Sequence, residues 1–340
     1  MFHRLLKLAI FLLITCSCSR INTDRSFYYW KTTFRLSDTE KKIMQDLNIK
    51  KLYIRFFDVN WEQESKVIPV GKIIFVNKIP SGFKIVPVVY LANKTLINTS
   101  YPEVASLADK IYRLVCVIAS ANLISFSELQ IDCDWNESTK DKYFNLLKLL
   151  KTQLQKNNAI LSATIRLHQV KYEKLTGVPP VDRGMLMFYN MGKISSAGNH
   201  NSIYNKADAS KYTGYIKKYS LPVDIALPLF SWGIHVRNNK PFELLNNLSV
   251  KDFINNINFT TLDNQSYVAA KSFFFKGFYF MKNDVVKIEE IAPPLSKEAA
   301  DLVAGELKVS NRSVALFHLD SLTLSRYEKK DFEKIFNSFN

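Results

Sequence analysis

Eight apolar runs rich in β-branched residues recur along the chain, at 27–34, 51–59, 84–92, 128–135, 159–167, 184–191, 221–230 and 313–320, with room for a helix between most neighbours. Near-continuous apolar runs of this length read as strands covered on both faces, and strands that alternate with helices lie parallel. The intervening segments carry helix signatures. Ser37-Asp38-Thr39-Glu40 is a capping box, Pro102 precedes a stripe of Ala105, Leu107, Ile111 and Val115, and Ser138 precedes one of Phe144, Leu147, Leu150 and Leu154. Segments 207–219 and 325–339 supply two more helices, while the helix after the second strand is poorly defined. Eight such units close most simply into an α/β fold, the (β/α)8 TIM barrel. No Gly-rich phosphate loop follows any strand, which argues against an open doubly wound sheet and against a nucleotide cofactor; no cofactor is expected.

The segment 237–300 is too long for one loop of such a barrel. It holds a short helix after Ser249 and a hairpin that pairs SFFFKGFYF with VVKIEEI around Asn283-Asp284. This makes a small β-containing insertion between strands seven and eight, inside one barrel domain spanning 19–340.

Residues 1–18 read as a bacterial lipoprotein signal: a positive head with His3, Arg4 and Lys7, an apolar run from Leu8 to Ile14, then Thr15-Cys16-Ser17-Cys18. The run is too short to span a bilayer, and a cysteine after small residues is where a lipid is attached. Ser17 before Cys18 fits the small preceding residue better than Thr15 before Cys16, which favours Cys18; Leu13, three before Cys16, keeps Cys16 as the alternative. The expected location is the bacterial cell envelope, anchored outside the cytoplasm. Of the four cysteines, only Cys116 and Cys133 lie beyond the signal, and both read as buried small hydrophobes.

The net charge is +15, yet the 46 lysines and arginines are dispersed with no basic block, so nucleic acid is not the expected partner. Five histidines without HExxH-type spacing argue against a metal site, and no Gly-x-Ser-x-Gly elbow marks a serine hydrolase.

In a barrel, chemistry sits at the carboxyl ends of the strands. The fourth run, Leu129-Gln130-Ile131-Asp132-Cys133-Asp134-Trp135, sets Asp132 and Asp134 on one strand face with Cys133 and Trp135 on the other. Thr164, Arg166 and His168 share parity on the fifth, so an ion pair from Arg166 to one of these aspartates is expected. Arg55, Asp58, Trp232, His318 and Asp320 stand at the same rim. With Arg166 and His168, the first two and Trp232 and His318 are the expected substrate-binding residues. Aromatic faces there stack on sugar rings, although packing is their commoner role.

The fourth strand resembles the signature of glycoside hydrolase family 18, the chitinase-like barrels, whose pattern is Asp-Gly-x-Asp-x-Asp-x-Glu. Asp132 and Asp134 fall on its two inner aspartates, and Glu128 stands near the first, one position off. Asn136 falls where the catalytic Glu belongs; Glu137 is adjacent, and strand parity turns it outward unless the chain bulges. Met187-Phe188-Tyr189-Asn190 resembles the Met-x-Tyr-Asp motif of the same family. The resemblance implies a site of Asp132, Asp134, Glu137 and Tyr189. In it, Asp134 and Tyr189 position an acetamido group that attacks the anomeric carbon, and Glu137 or His168 protonates the leaving oxygen. The chain also resembles uncharacterised exported bacterial barrel lipoproteins with a Gln-Ile-Asp-x-Asp strand, a likeness that implies no reaction. The expected ligand is an N-acetylated glycan, hydrolysed or bound. Asn136, which cannot serve as an acid, supports the alternative of a non-catalytic glycan-binding or envelope scaffold protein.

Overall fold

The computed structural model describes residues 22–64, 66–195, 198, 200–307 and 311–340. The signal segment, with Cys16 and Cys18, lies outside them. Eight strands form the central barrel: β1 Asn22–Tyr29, β2 Lys51–Glu62, β3 Lys84–Leu91, β4 Glu128–Asp132, β5 Ile160–Arg166, β6 Arg183–Met187, β7 Val223–Pro228 and β8 Asn311–Phe317. Each is parallel to its successor, and β8 pairs back onto β1, so the sheet has no free edge within the ring. The (β/α)8 TIM barrel expected from the alternating pattern is the fold.

Helices α1 Asp38–Asp46, α2 Val104–Ala121, α3 Lys140–Gln155, α4 Leu167–Lys171, α5 Lys206–Ile216, α6 Pro293–Ala304 and α7 Lys329–Asn337 surround the ring. The capping box before α1 forms as read: Ser37 Oγ accepts from the Glu40 amide at 3.1 Å and Glu40 Oε2 from the Ser37 amide at 2.9 Å. The second unit has no helix among the described residues. There β2 runs on into an antiparallel pair with Lys66–Val70, and a short strand, Ile74–Phe75, joins Thr33–Phe34. The first barrel strand begins five residues earlier than its apolar run, because Thr23, Asp24, Arg25 and Ser26 carry no apolar signal; Ser26 Oγ donates to the Val314 carbonyl at 2.9 Å. The helix expected over 325–339 is the shorter α7, and a separate turn of helix, Ser321–Leu324, precedes it.

The insertion is a five-stranded antiparallel sheet in the order Lys240–Asn246, Ser231–Arg237, Val285–Glu290, Ser266–Ala269, Phe259–Thr261. Its first strand starts at Ser231, directly after β7, and it closes over a core of its own that includes Leu245, Phe253, Phe259, Phe280 and Ile288. The hairpin lies inside the aromatic run rather than after it: Phe273–Phe275 pairs with Phe278–Phe280 across Lys276-Gly277. Both turn residues have positive φ, 48° and 87°, the two-residue geometry that matches strand twist. Val285–Glu290 instead joins the larger sheet.

The barrel interior is packed in layers that rise along β4. Glu128 at the base pairs with Lys51 at 2.7 Å and accepts from Ser162 at 2.7 Å. Gln130 above it accepts from the Tyr28 hydroxyl at 2.5 Å, and both are fully buried. Asp132 tops the column. Glu128, Gln130 and Asp132 each have a hydrogen-bond partner in this dry interior.

Candidate functional site

Period-two alternation sends Glu128, Gln130 and Asp132 into the barrel and Cys133 and Trp135 out towards the helices. Cys133 is fully buried, and Trp135 stacks on Tyr143 of α3 at 5.0 Å while its Nε1 donates to the Thr176 carbonyl at 3.0 Å. Regular strand ends at Asp132, so Asp134 stands on the rim with half its side chain exposed. The expected ion pair is present and doubled: Arg166 Nη2 lies 3.2 Å from Asp132 Oδ1, and Arg166 Nε bonds Asp134 Oδ1. Thr164 Oγ1 donates to Asp132 Oδ1 at 2.6 Å. One guanidinium therefore holds both carboxylates in a fixed spacing.

Arg55 and Asp58 are three apart, which on a regular strand would put them on opposite faces. A register shift between Arg55 and Phe57 restores them to one side, and Arg55 binds Asp58 through both Nε and Nη2. Asp58 then lines the mouth, with Arg55 behind it and 5.8 Å from the Trp30 ring.

Across from the aspartates stands an aromatic wall. Trp30 packs on Phe317 at 5.5 Å, Phe230 on Phe317 at 5.9 Å and on Trp232 at 5.4 Å, and Tyr189 meets Phe230 edge-on at 5.5 Å. The indole of Trp232 is held from the insertion: Nε1 donates to Glu289 Oε2 at 3.0 Å, and Glu289 also accepts from the Ser202 amide at 3.0 Å and from Lys287 at 3.1 Å. Together these groups enclose a cavity of about 690 Å³ at the carboxyl end of the barrel.

Burial pushes the Asp132 carboxyl above its ordinary range, although Arg166 and Thr164 pull it back. Burial likewise raises the Tyr189 phenol, so it stays protonated. Desolvation of the partly buried His318, beside Asp320 and Lys31, pushes it down to about 4, so it is a neutral imidazole at neutral pH; its Nδ1 is buried without a hydrogen-bond partner among the described residues. No group of three or more metal-ligating side chains gathers among the described residues.

Of the residues singled out at the rim, Asp58, Asp132, Asp134, Arg166, Tyr189, Trp232, His318 and Asp320 meet in this cavity. Three do not. Arg55 stands behind Asp58 and is not part of the lining. Glu137 is exposed in the turn that leads into α3, and His168 is exposed on α4; neither lines the cavity. The chain does not bulge there to bring Glu137 inward, because Asn136 fixes the turn: its Oδ1 accepts from the Ser138 amide at 3.0 Å and hydroxyl at 2.7 Å. The cavity also takes in Lys31, Tyr90, Asn190, Asn246 and Asn247. Tyr90 was legible as the polar end of a strand. Asn246 ends a strand of the inserted sheet and Asn247 follows it in the turn, and only the fold brings them to the mouth.

No family model and no curated protein sequence matches the chain. Solved structures do. The spore cortex-lytic enzyme SleL of Bacillus cereus is 11% identical, with a TM-score of 0.55 over 94% of this chain and 75% of that one. The chitinase of Chromobacterium violaceum is 10% identical, with a TM-score of 0.54 over 92% and 98%. A mutant of the Group II chitinase catalytic domain 2 of Ostrinia furnacalis, solved in complex with (NAG)5, is 11% identical, with a TM-score of 0.51 over 94% and 95%. These likenesses establish a shared barrel fold.

Proposed function

We propose that this chain is a glycan-binding barrel of the bacterial cell envelope, anchored by lipid on Cys18, with Cys16 as the alternative, and that it takes N-acetylated glycans at the carboxyl end of its barrel. The observation that carries the reading is the cavity itself: an aromatic wall of Trp30, Phe230, Trp232 and Phe317 faces a floor of Asp132, Asp134 and Arg166. Sugars present apolar CH faces and rings of hydroxyls, and a wall of the first kind opposite a floor of the second matches both. The similar barrels whose names say chitinase, one of them holding (NAG)5, support a carbohydrate ligand. Binding without turnover is favoured because Asn136 holds a turn and Glu137 stands outside the cavity, so neither reaches a glycosidic oxygen.

Hydrolysis is the second reading, supported by Asp132, a cavity carboxyl that burial shifts towards its protonated form, within the field of Tyr189. The test is to incubate residues 19–340 with N-acetylated oligosaccharides, recording heat of binding and products by mass spectrometry, with Asp134→Asn in parallel. Binding without products supports the leading reading. Products that vanish in the variant establish the second, and the absence of both binding and products overturns the carbohydrate assignment.

A further inference from the structure

The charge that lines the cavity is one-sided. Its lining carries Asp58, Asp132, Asp134 and Asp320 against Lys31 and Arg166, an acidic excess in a chain whose net charge is +15. Every cation there is already engaged. Lys31 Nζ lies 2.8 Å from Glu40 and 2.9 Å from Asp320, and Arg166 is paired with Asp132 through Nη2 and with Asp134 through Nε. Arg55, behind the lining, is taken up by Asp58. His318 adds no positive charge at neutral pH.

The acceptors are not exhausted in the same way. Asp132 and Asp134 each use only Oδ1, and their Oδ2 atoms accept from no described residue. Asp132 is 4% exposed and lines the cavity, so the small part of it left open faces a ligand seated there. Opposite stand the ring faces of the aromatic wall, whose negative quadrupoles attract a cation.

We infer that the ligand unit seated against Asp132 and Asp134 carries a free, protonated amino group, so that the cavity selects a cationic amino sugar over its N-acetylated or acidic counterpart. This inference rests on the carbohydrate reading and, for the one unit that meets Asp132 and Asp134, puts a free amine in place of the acetamido group. An ammonium offers three donors, and its bonds to carboxylates are charge-assisted, whereas an acetamido nitrogen offers one neutral donor. An acidic sugar would bring a like charge to a cavity with no uncommitted cation.

The experiment compares two ligand pairs by quenching of tryptophan fluorescence, at a pH where the amines are protonated. One pair is a glucosamine oligosaccharide and its fully N-acetylated counterpart of equal length; the other, without sugar, is cyclohexylamine and N-cyclohexylacetamide. The glucosamine chain is expected to bind about tenfold more tightly than its counterpart. Asp134→Asn should erase that preference and Asp134→Glu retain it, which separates charge from a folding defect. Equal or tighter binding of the N-acetylated chain overturns the inference and leaves the carbohydrate reading standing. Preference for cyclohexylamine with neither oligosaccharide bound supports the cationic ligand and overturns the sugar. Failure of every probe to bind overturns both.

Discussion

Trp232 and Glu289 stand directly opposite each other on neighbouring strands of the inserted sheet, and the indole Nε1 donates to Glu289 Oε2 at 3.0 Å. A side chain on the cavity wall is thereby held by a carboxylate that is almost wholly buried and that also grips Lys287 and Ser202. The insertion is a wall of the site as well as an appendage to the barrel.

Glu289→Ala should therefore destabilise the protein by about 3–5 kcal/mol, since it leaves the Lys287 ammonium buried without its counter-charge. Glu289→Gln, which keeps an acceptor for Trp232, should lose less. Urea denaturation gives both values, and a loss below about 1 kcal/mol for the alanine variant would contradict the account.

Arg166→Ala should alter how stability depends on pH. Because the folded pKa of Asp132 lies above its ordinary value of 3.8, the native state holds that proton longer than the unfolded chain. Stability from this group is complete below 3.8 and is lost as pH rises through the folded value. Arg166 pulls that folded value down, so its removal should extend the loss to higher pH. The gap between wild type and variant in urea midpoint should widen with pH; a constant gap would refute the coupling.

His318 has the opposite sign. Its folded pKa of about 4 lies below the ordinary 6.5, so the unfolded chain takes up the proton first. The stability it contributes is present above 6.5 and is lost as pH falls to about 4, a difference of at most about 3 kcal/mol. His318→Asn should flatten stability across that interval. A variant with the same acid limb as wild type would show that the imidazole titrates normally.

Glu137→Ala should leave stability within about 0.5 kcal/mol and glycan affinity unchanged, because the side chain is exposed outside the cavity. Calorimetric titration decides this. A tenfold loss of affinity would bring Glu137 back into the site.

The barrel was legible because its strands are apolar on both faces, and the partnership of Arg166 with Asp132 and Asp134 followed from strand parity alone. Glu137, expected in the site, is instead exposed in a turn, because regular strand ends at Asp132. What the sequence concealed was non-local or irregular. The bulge that brings Arg55 and Asp58 to one side leaves no mark in residue type, and the missing second helix reflects β2 continuing into an antiparallel pair. The Phe-rich hairpin was misplaced because Lys276-Gly277 is a less familiar turn signal than Asn283-Asp284, although both positions 276 and 283 have positive φ. Asn246 and Asn247 belong to the cavity only because the inserted sheet folds back over the barrel.

The column of Lys51, Glu128, Tyr28 and Gln130 beneath Asp132 seals the barrel from below. The cavity is thus closed at its floor, and a polymer cannot be threaded along the barrel axis. A long glycan has to lie across the rim with one unit, or an end, dipping towards Asp132, so occupancy should depend on exposed chain ends and accessible side units more than on total chain length.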